Sequence, residues 1–165
     1  MNQFKCSICG SNHPLITLFE FPLPSIISDI SSGKINQLLT YFEKNVLVVN
    51  RKDIYILCDL SLKIQDYEDQ LDLLVWVKVT LDEYRTKFKK VKDEKLYLDG
   101  ELIHLIPFYE IEEKSKVTIL WDYVKNESRK RILQLHFDSK FSNDFKHGIS
   151  IESLTQTLEK LYHLD

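Results

Sequence analysis

Cys6-Ser7-Ile8-Cys9-Gly10 sets two thiols on what must be a tight turn, followed by a glycine that accepts left-handed backbone. His13 lies four residues beyond Cys9. Two thiolates and an imidazole at this spacing have the form of a zinc knuckle, since they suit a borderline-soft divalent ion. A closed structural site needs a fourth donor, and the sequence holds no second Cys-x-x-Cys. That donor would have to come from far along the chain, for instance from His136, His147 or Cys58, and Cys58 sits on the apolar face of its strand, where a buried free thiol is the ordinary reading. The competing reading is two unligated thiols near a terminus, because an isolated half-site is a weak motif.

Other residues offer less. Nucleophilic catalysis needs Ser or Cys beside a histidine oriented by a carboxylate, and His136, Asp138, Asp144 and His147 form the one close grouping of that kind. Loop histidines of this sort more often lie at the surface or cap an element. His104 sits in an apolar run, as a hydrogen-bonded sheet residue would, and His163 falls at the frayed end. Gly10, Gly33, Gly100 and Gly148 are too scattered for a nucleotide-binding fingerprint. The chain therefore reads as a binder rather than an enzyme. Its candidate contact surface is acidic: Asp66, Tyr67, Glu68, Asp69 and Asp72 gather in one connection, and Glu110, Glu112 and Glu113 in another. A solvated loop explains such clusters, and so does a prong that meets a basic partner, where opposite charge speeds and orients association.

The elements that must position these groups centre on residues 53–80. Ile54, Ile56, Cys58, Leu60, Leu62 and Ile64 share one face of an extended segment, with Asp59, Ser61 and Lys63 on the other. After the polar residues 65–70, Leu71, Leu73, Val75, Val77 and Val79 repeat the pattern, so the two runs predict a β-hairpin. Upstream, residues 15–21 suggest a short strand ended by Pro22 and Pro24, and residues 46–49 another. Between them Ile35, Leu38, Leu39 and Phe42 recur at helical spacing, which predicts an amphipathic helix over 34–44 closed by Asn45.

Downstream, Thr80-Leu81-Asp82-Glu83 matches a capping box and opens a helix with a lysine-rich end, cations that suit its dipole. Asp99-Gly100 reads as a hairpin turn between strands at 95–98 and 102–106. Strands follow at 117–124 and 132–137, with a turn at 126–130, then a polar, aromatic-studded loop over 139–147. Ser150 caps a last helix whose stripe is Ile151, Leu154, Leu158 and Leu161.

The chain has 165 residues, 44% hydrophobic and 28% charged, with 4 Gly and 4 Pro, which fits one domain (1–165, with 1–14 as knuckle and 15–165 as body) able to bury a core without disulfides. A net charge of -3 with both signs interspersed disfavours a dedicated nucleic-acid binder. No basic segment precedes an apolar stretch and no run reaches the ~18 residues needed to span a bilayer, so the expected location is cytoplasmic, with no membrane partner. Three cysteines, an odd number, fit thiols or metal ligands better than a disulfide framework.

Taken together, Cys6-x-x-Cys9-Gly10-x-x-His13, Leu74-Val75-Trp76-Val77 running into Thr80-Leu81, Gly100-x-Leu102 with Pro107 and Tyr109, and His147-Gly148-Ile149-Ser150 resemble the bacterial family catalogued as domain of unknown function 2199. The likeness covers almost the whole chain. That family's pattern carries a third cysteine near the position of Val48 and a His-Pro-Leu-Ala segment near residues 140–143, and both are missing here. The family name implies no activity.

The expected fold is α+β, a mainly antiparallel sheet with about three helices packed on one face and the Cys-x-x-Cys knuckle at its edge. The expected role is a non-catalytic protein-binding domain, and within that class a bacterial immunity protein that neutralises a basic toxin partner. The alternative is a zinc-binding module of the knuckle type, nucleic-acid-associated or regulatory.

Overall fold

A computed structural model describes residues 3–20, 39–43, 45–49, 52–88, 95–103, 109, 115–124 and 127–163. Its longest pairing is the hairpin expected from the alternating runs. β6 (Asp53–Lys63) and β7 (Gln70–Thr80) pair antiparallel over their whole length, from Asp53 opposite Thr80 to Lys63 opposite Gln70. Ile56, Cys58, Leu62, Leu71, Leu73, Val75 and Val77 are wholly buried on the shared inner face, as the period of two requires.

The ladder does not stay open. β7 also pairs with β8 (Lys95–Leu102), β8 with β9 (Lys116–Val124), and β9 with β10 (Glu127–Leu135). β10 then returns beside β6, in parallel, with Arg131 opposite Asp59, which closes five strands into a barrel. Leu98, Val117, Ile119 and Trp121 join the β6 and β7 side chains to fill it. The sheet is extended on one side by β3 (Leu18–Glu20), parallel to β7, and on the other by β5 (Val46–Val49) and β4 (Leu39–Glu43). A separate two-stranded ribbon, β1 (Gln3–Lys5) with β2 (Asn12–Pro14), carries the knuckle.

The expectation of a mainly antiparallel sheet with helices on one face is thus corrected to a mixed sheet closed into a barrel, with parallel pairs at β3–β7 and β10–β6. Alternation tells which face of a strand is buried, but not which strand lies beside it. Closure removes the edges of the five barrel strands themselves, with β3 and β4 left at the margins of the described sheet.

Local expectations fare unevenly. Residues 39–43 form β4 rather than helix, while 34–38 lie outside the described residues. Asn45 has φ 66, and left-handed Asn serves a helix terminus and a hairpin turn equally well, which is why the sequence did not separate the two. Residues 127–130 are strand rather than turn, and residues 140–147 are helix rather than loop: α2 (Lys140–His147) starts where the Ser139 hydroxyl accepts from the amide of Ser142 at 3.1 Å. The Thr80 cap holds, its hydroxyl accepting from the Glu83 amide at 3.1 Å to start α1 (Leu81–Phe88). The Ser150 cap likewise starts α3 (Ile151–Tyr162), whose Leu154 and Leu158 are wholly buried in the core.

Asp99 and Gly100 are not a hairpin turn but part of continuous β8. Gly100 stays paired with Val117 of β9 and stands next to Glu101 and Leu102, where β8 also pairs with β7: a Cβ there would meet Val77 Cγ1 at 2.6 Å and the Lys78 carbonyl oxygen at 2.8 Å. Only a residue without a side chain permits that approach. Gly100→Ala is expected to destabilise the protein by about 1–3 kcal/mol, because backbone in the seam must move. Chemical denaturation measures it, and an unchanged midpoint would show the seam to be looser than described.

Candidate metal centre

The knuckle is built by backbone geometry before any side chain matters. Between β1 and β2 the Cys6 amide donates to the Ser11 carbonyl at 2.9 Å and the Gly10 amide to the Cys6 carbonyl at 3.0 Å. Gly10 takes φ 72, the left-handed conformation the sequence anticipated. The turn brings Cys6 and Cys9 to one side, and the β1–β2 register sets His13 opposite Phe4 beside them.

The fourth group arrives from the other end of the chain. His163 follows directly on α3, and its Nε2 lies 3.3 Å from Cys6 Sγ, while His13 Nε2 lies 3.2 Å from Cys9 Sγ. One donor atom from each of Cys6, Cys9, His13 and His163 falls within 4.8 Å of all the others. In tetrahedral zinc sites, with Zn–S of about 2.3 Å and Zn–N of about 2.0–2.1 Å, sulfur and nitrogen neighbours stand about 3.5 Å apart and two sulfurs about 3.8 Å. The two sulfur–nitrogen pairs, at 3.3 and 3.2 Å, fall near that spacing, and the remaining separations stay within 4.8 Å.

α3 does more than deliver His163. Residues 159, 162 and 163 fall at i, i+3 and i+4, on one face of the helix end. The Glu159 carboxylate accepts from both the amide and the hydroxyl of Ser7, the latter at 2.8 Å, and these bonds, with His163 and His13 nearby, hold its pKa below the ordinary range. The Tyr162 ring stacks on His13 with centroids 4.4 Å apart, and its hydroxyl donates to the Pro14 carbonyl at 3.1 Å. The Cys9 thiol is lowered to about 6, first by the Ser11 amide and then by His13, which favours the thiolate a metal needs. Cys6 is buried and Cys9 exposed.

The other expected donors lie elsewhere. Cys58 sits wholly buried in the barrel, its thiol donating to the Ile56 carbonyl at 3.6 Å and pushed far above its ordinary range by burial. His136 Nε2 meets the Thr118 hydroxyl at 2.7 Å, which itself donates to Asp99 at 2.7 Å, beside a cleft of about 530 Å³ that includes Lys78 and Lys116. His147 lines a different cleft, against the hairpin tip, and Asp144 is buried, accepting from Tyr109 at 2.9 Å. The grouping of His136, Asp138, Asp144 and His147 does not come together as a site. His104 lies outside the described residues.

Of the acidic surfaces, Asp66, Tyr67, Glu68 and Asp69 are exposed at the tip of the β6–β7 hairpin, with Asp66 at φ 64. Asp72 belongs to β7 and is tied down, accepting from Ser61 at 2.6 Å and from Gln70 at 3.0 Å. Glu110, Glu112 and Glu113 lie outside the described residues. Among those described, no helix is long and apolar enough to cross a membrane.

A closed β-barrel with a Cys2His2 cluster between the β1–β2 knuckle and the end of α3 is the class of protein defined by this fold and site. Residues 5–149 match the family described as an uncharacterized protein conserved in bacteria (DUF2199), and the chain belongs to that family. The match takes in Cys6, Cys9 and His13 and stops short of His163. No curated protein and no solved structure matches the chain.

His163 is the donor that the sequence does not reveal, since its place at the close of the last helix gives it no local spacing to the knuckle. Glu159, Tyr162 and His163, a carboxylate, an aromatic ring and an imidazole on one face at the close of an amphipathic helix, are the available signal. Removing that one imidazole tests it: His163→Ala, leaving three donors, is expected to weaken zinc binding by at least the about 10–100-fold that loss of an outer-shell partner costs, read in competition with a chromophoric chelator, whereas His147→Ala leaves it unchanged. Equal affinities for wild type and His163→Ala would remove His163 from the site.

Proposed function

We propose that this chain is a non-catalytic binding domain in which Cys6, Cys9, His13 and His163 hold a structural zinc ion that clasps its N-terminal knuckle to its C-terminal helix. The observation that carries this reading is the convergence of four suitable donor atoms within 4.8 Å from opposite ends of the sequence. Four protein donors complete a tetrahedron and leave no position for a water, which is the arrangement of structural rather than catalytic zinc. Two sulfurs and two imidazole nitrogens also disfavour magnesium or calcium, which take oxygen donors.

Tying residue 6 to residue 163 closes almost the whole chain. By analogy with a cross-link of that span, the clasp contributes at most about 5 kcal/mol, on the chain-entropy account. Protein purified without added zinc is expected to carry one equivalent, and stripping it with a chelator to lower the melting temperature by on the order of 10 °C. Metal analysis yielding under about a tenth of an equivalent, with no uptake on adding zinc, would refute the clasp.

For the binding role, the supporting observation is Tyr67, 47% exposed at the tip of the longest hairpin among the described residues and flanked by Asp66, Glu68 and Asp69. The partner we propose is a protein with a basic surface, and neutralisation of a basic toxin domain is the narrowest form of that role. Co-expression with a toxin-like product encoded alongside tests it: the chain is expected to protect cells, and replacing the three tip carboxylates by lysine to abolish protection. Equal protection by that variant would clear the tip of any such role.

A further inference from the structure

The three cysteines stand in sharply different surroundings. Cys9 is exposed, Cys6 is 1% exposed directly beside it, and Cys58 is wholly buried in the barrel, away from the knuckle. The turn that brackets the first two is held by main-chain bonds from Cys6 to Ser11 and from Gly10 to Cys6, which do not require a metal. Contacts from Glu159 to Ser7 and from Tyr162 to Pro14 and His13 hold the knuckle against α3, again without one. The two sulfurs therefore stay neighbours whether or not an ion joins them, and no third thiol competes.

From this arrangement we infer that the knuckle is a peroxide-responsive release site, in which oxidation couples Cys6 to Cys9 and expels the zinc ion. The inference rests on the zinc reading above. The exposed Cys9 sulfur attacks a peroxide oxygen, the O–O bond breaks, and a sulfenic acid forms while the departing oxygen takes up a proton and leaves as water. The Cys6 thiolate then attacks the Cys9 sulfur, the S–S bond forms, and hydroxide departs and is protonated to a second water. Two thiolates are oxidised and one peroxide is reduced. With both sulfur donors consumed, two imidazoles are left, too few to retain the ion.

Release removes the metal link between α3 and the knuckle, leaving the Glu159 and Tyr162 contacts to hold them, and does not touch the barrel, whose closure uses neither segment. A dithiol reverses the reaction by exchange at the exposed Cys9 sulfur, and zinc rebinds.

The test starts from zinc-loaded full-length protein treated with hydrogen peroxide, with zinc release followed by a chromophoric chelator and cysteines mapped by peptide mass spectrometry. The expected result is loss of one zinc per chain together with a Cys6–Cys9 disulfide, intact Cys58, faster amide exchange confined to residues 3–14, and recovery on adding dithiothreitol and zinc. Cys58→Val is expected to behave as wild type. Zinc retained under excess peroxide, zinc lost with Cys9 driven to sulfinic acid and no disulfide, or a disulfide that includes Cys58 or a second chain would each overturn the inference while leaving the clasp standing. A chain that takes up no zinc before oxidant is added overturns both.

Discussion

The pairing of β6 with β7 is the constraint on which the remaining architecture depends. These strands run side by side for their full length, and each offers its free edge to the segments that complete the fold: β7 to β8 and β3, β6 to β10 and β5. The barrel seals where β10 meets β6, and β3, lying along β7, leads back to the knuckle. α3 buries Leu154 and Leu158 in the same core that β6 and β7 fill. The two chain ends are thus each anchored to one ladder before any side chain at the metal centre is considered.

That shared anchoring gives the Cys2His2 cluster its physical character. A peptide carrying Cys6, Cys9 and His13 alone would supply three donors and would meet the full ordering cost of the turn on binding metal. Here the turn is already hydrogen-bonded and α3 already docked, through Glu159 on Ser7 and Tyr162 on His13, so the fourth donor is held near its place. Preorganisation of this kind raises affinity by lowering the cost of assembling the site.

Much of the fold was legible where a local rule had a single physical meaning. Alternation across residues 53–80 gave the hairpin and its buried face, Thr80 and Ser150 gave helix starts, and Cys6-x-x-Cys9-Gly10 gave the knuckle turn with its left-handed glycine. Errors arose where one residue serves two structures. Asn45 fits a helix end or a hairpin, and Gly100 fits a turn or a close strand approach, and in both cases the choice was made by tertiary neighbours. Barrel closure and the arrival of His163 are contacts between segments far apart in sequence, and no local periodicity encodes them. At the candidate site, three donors were readable from spacing, and the fourth required the fold.

The central claim is that both ends of one chain hold one zinc ion. X-ray absorption at the zinc edge tests it most directly, on full-length protein confirmed as a monomer by light scattering. The expected spectrum fits two sulfurs at about 2.3 Å and two imidazole nitrogens at about 2.0–2.1 Å. A shell of oxygen and nitrogen without sulfur, or four sulfurs drawn from two chains, would contradict the clasp.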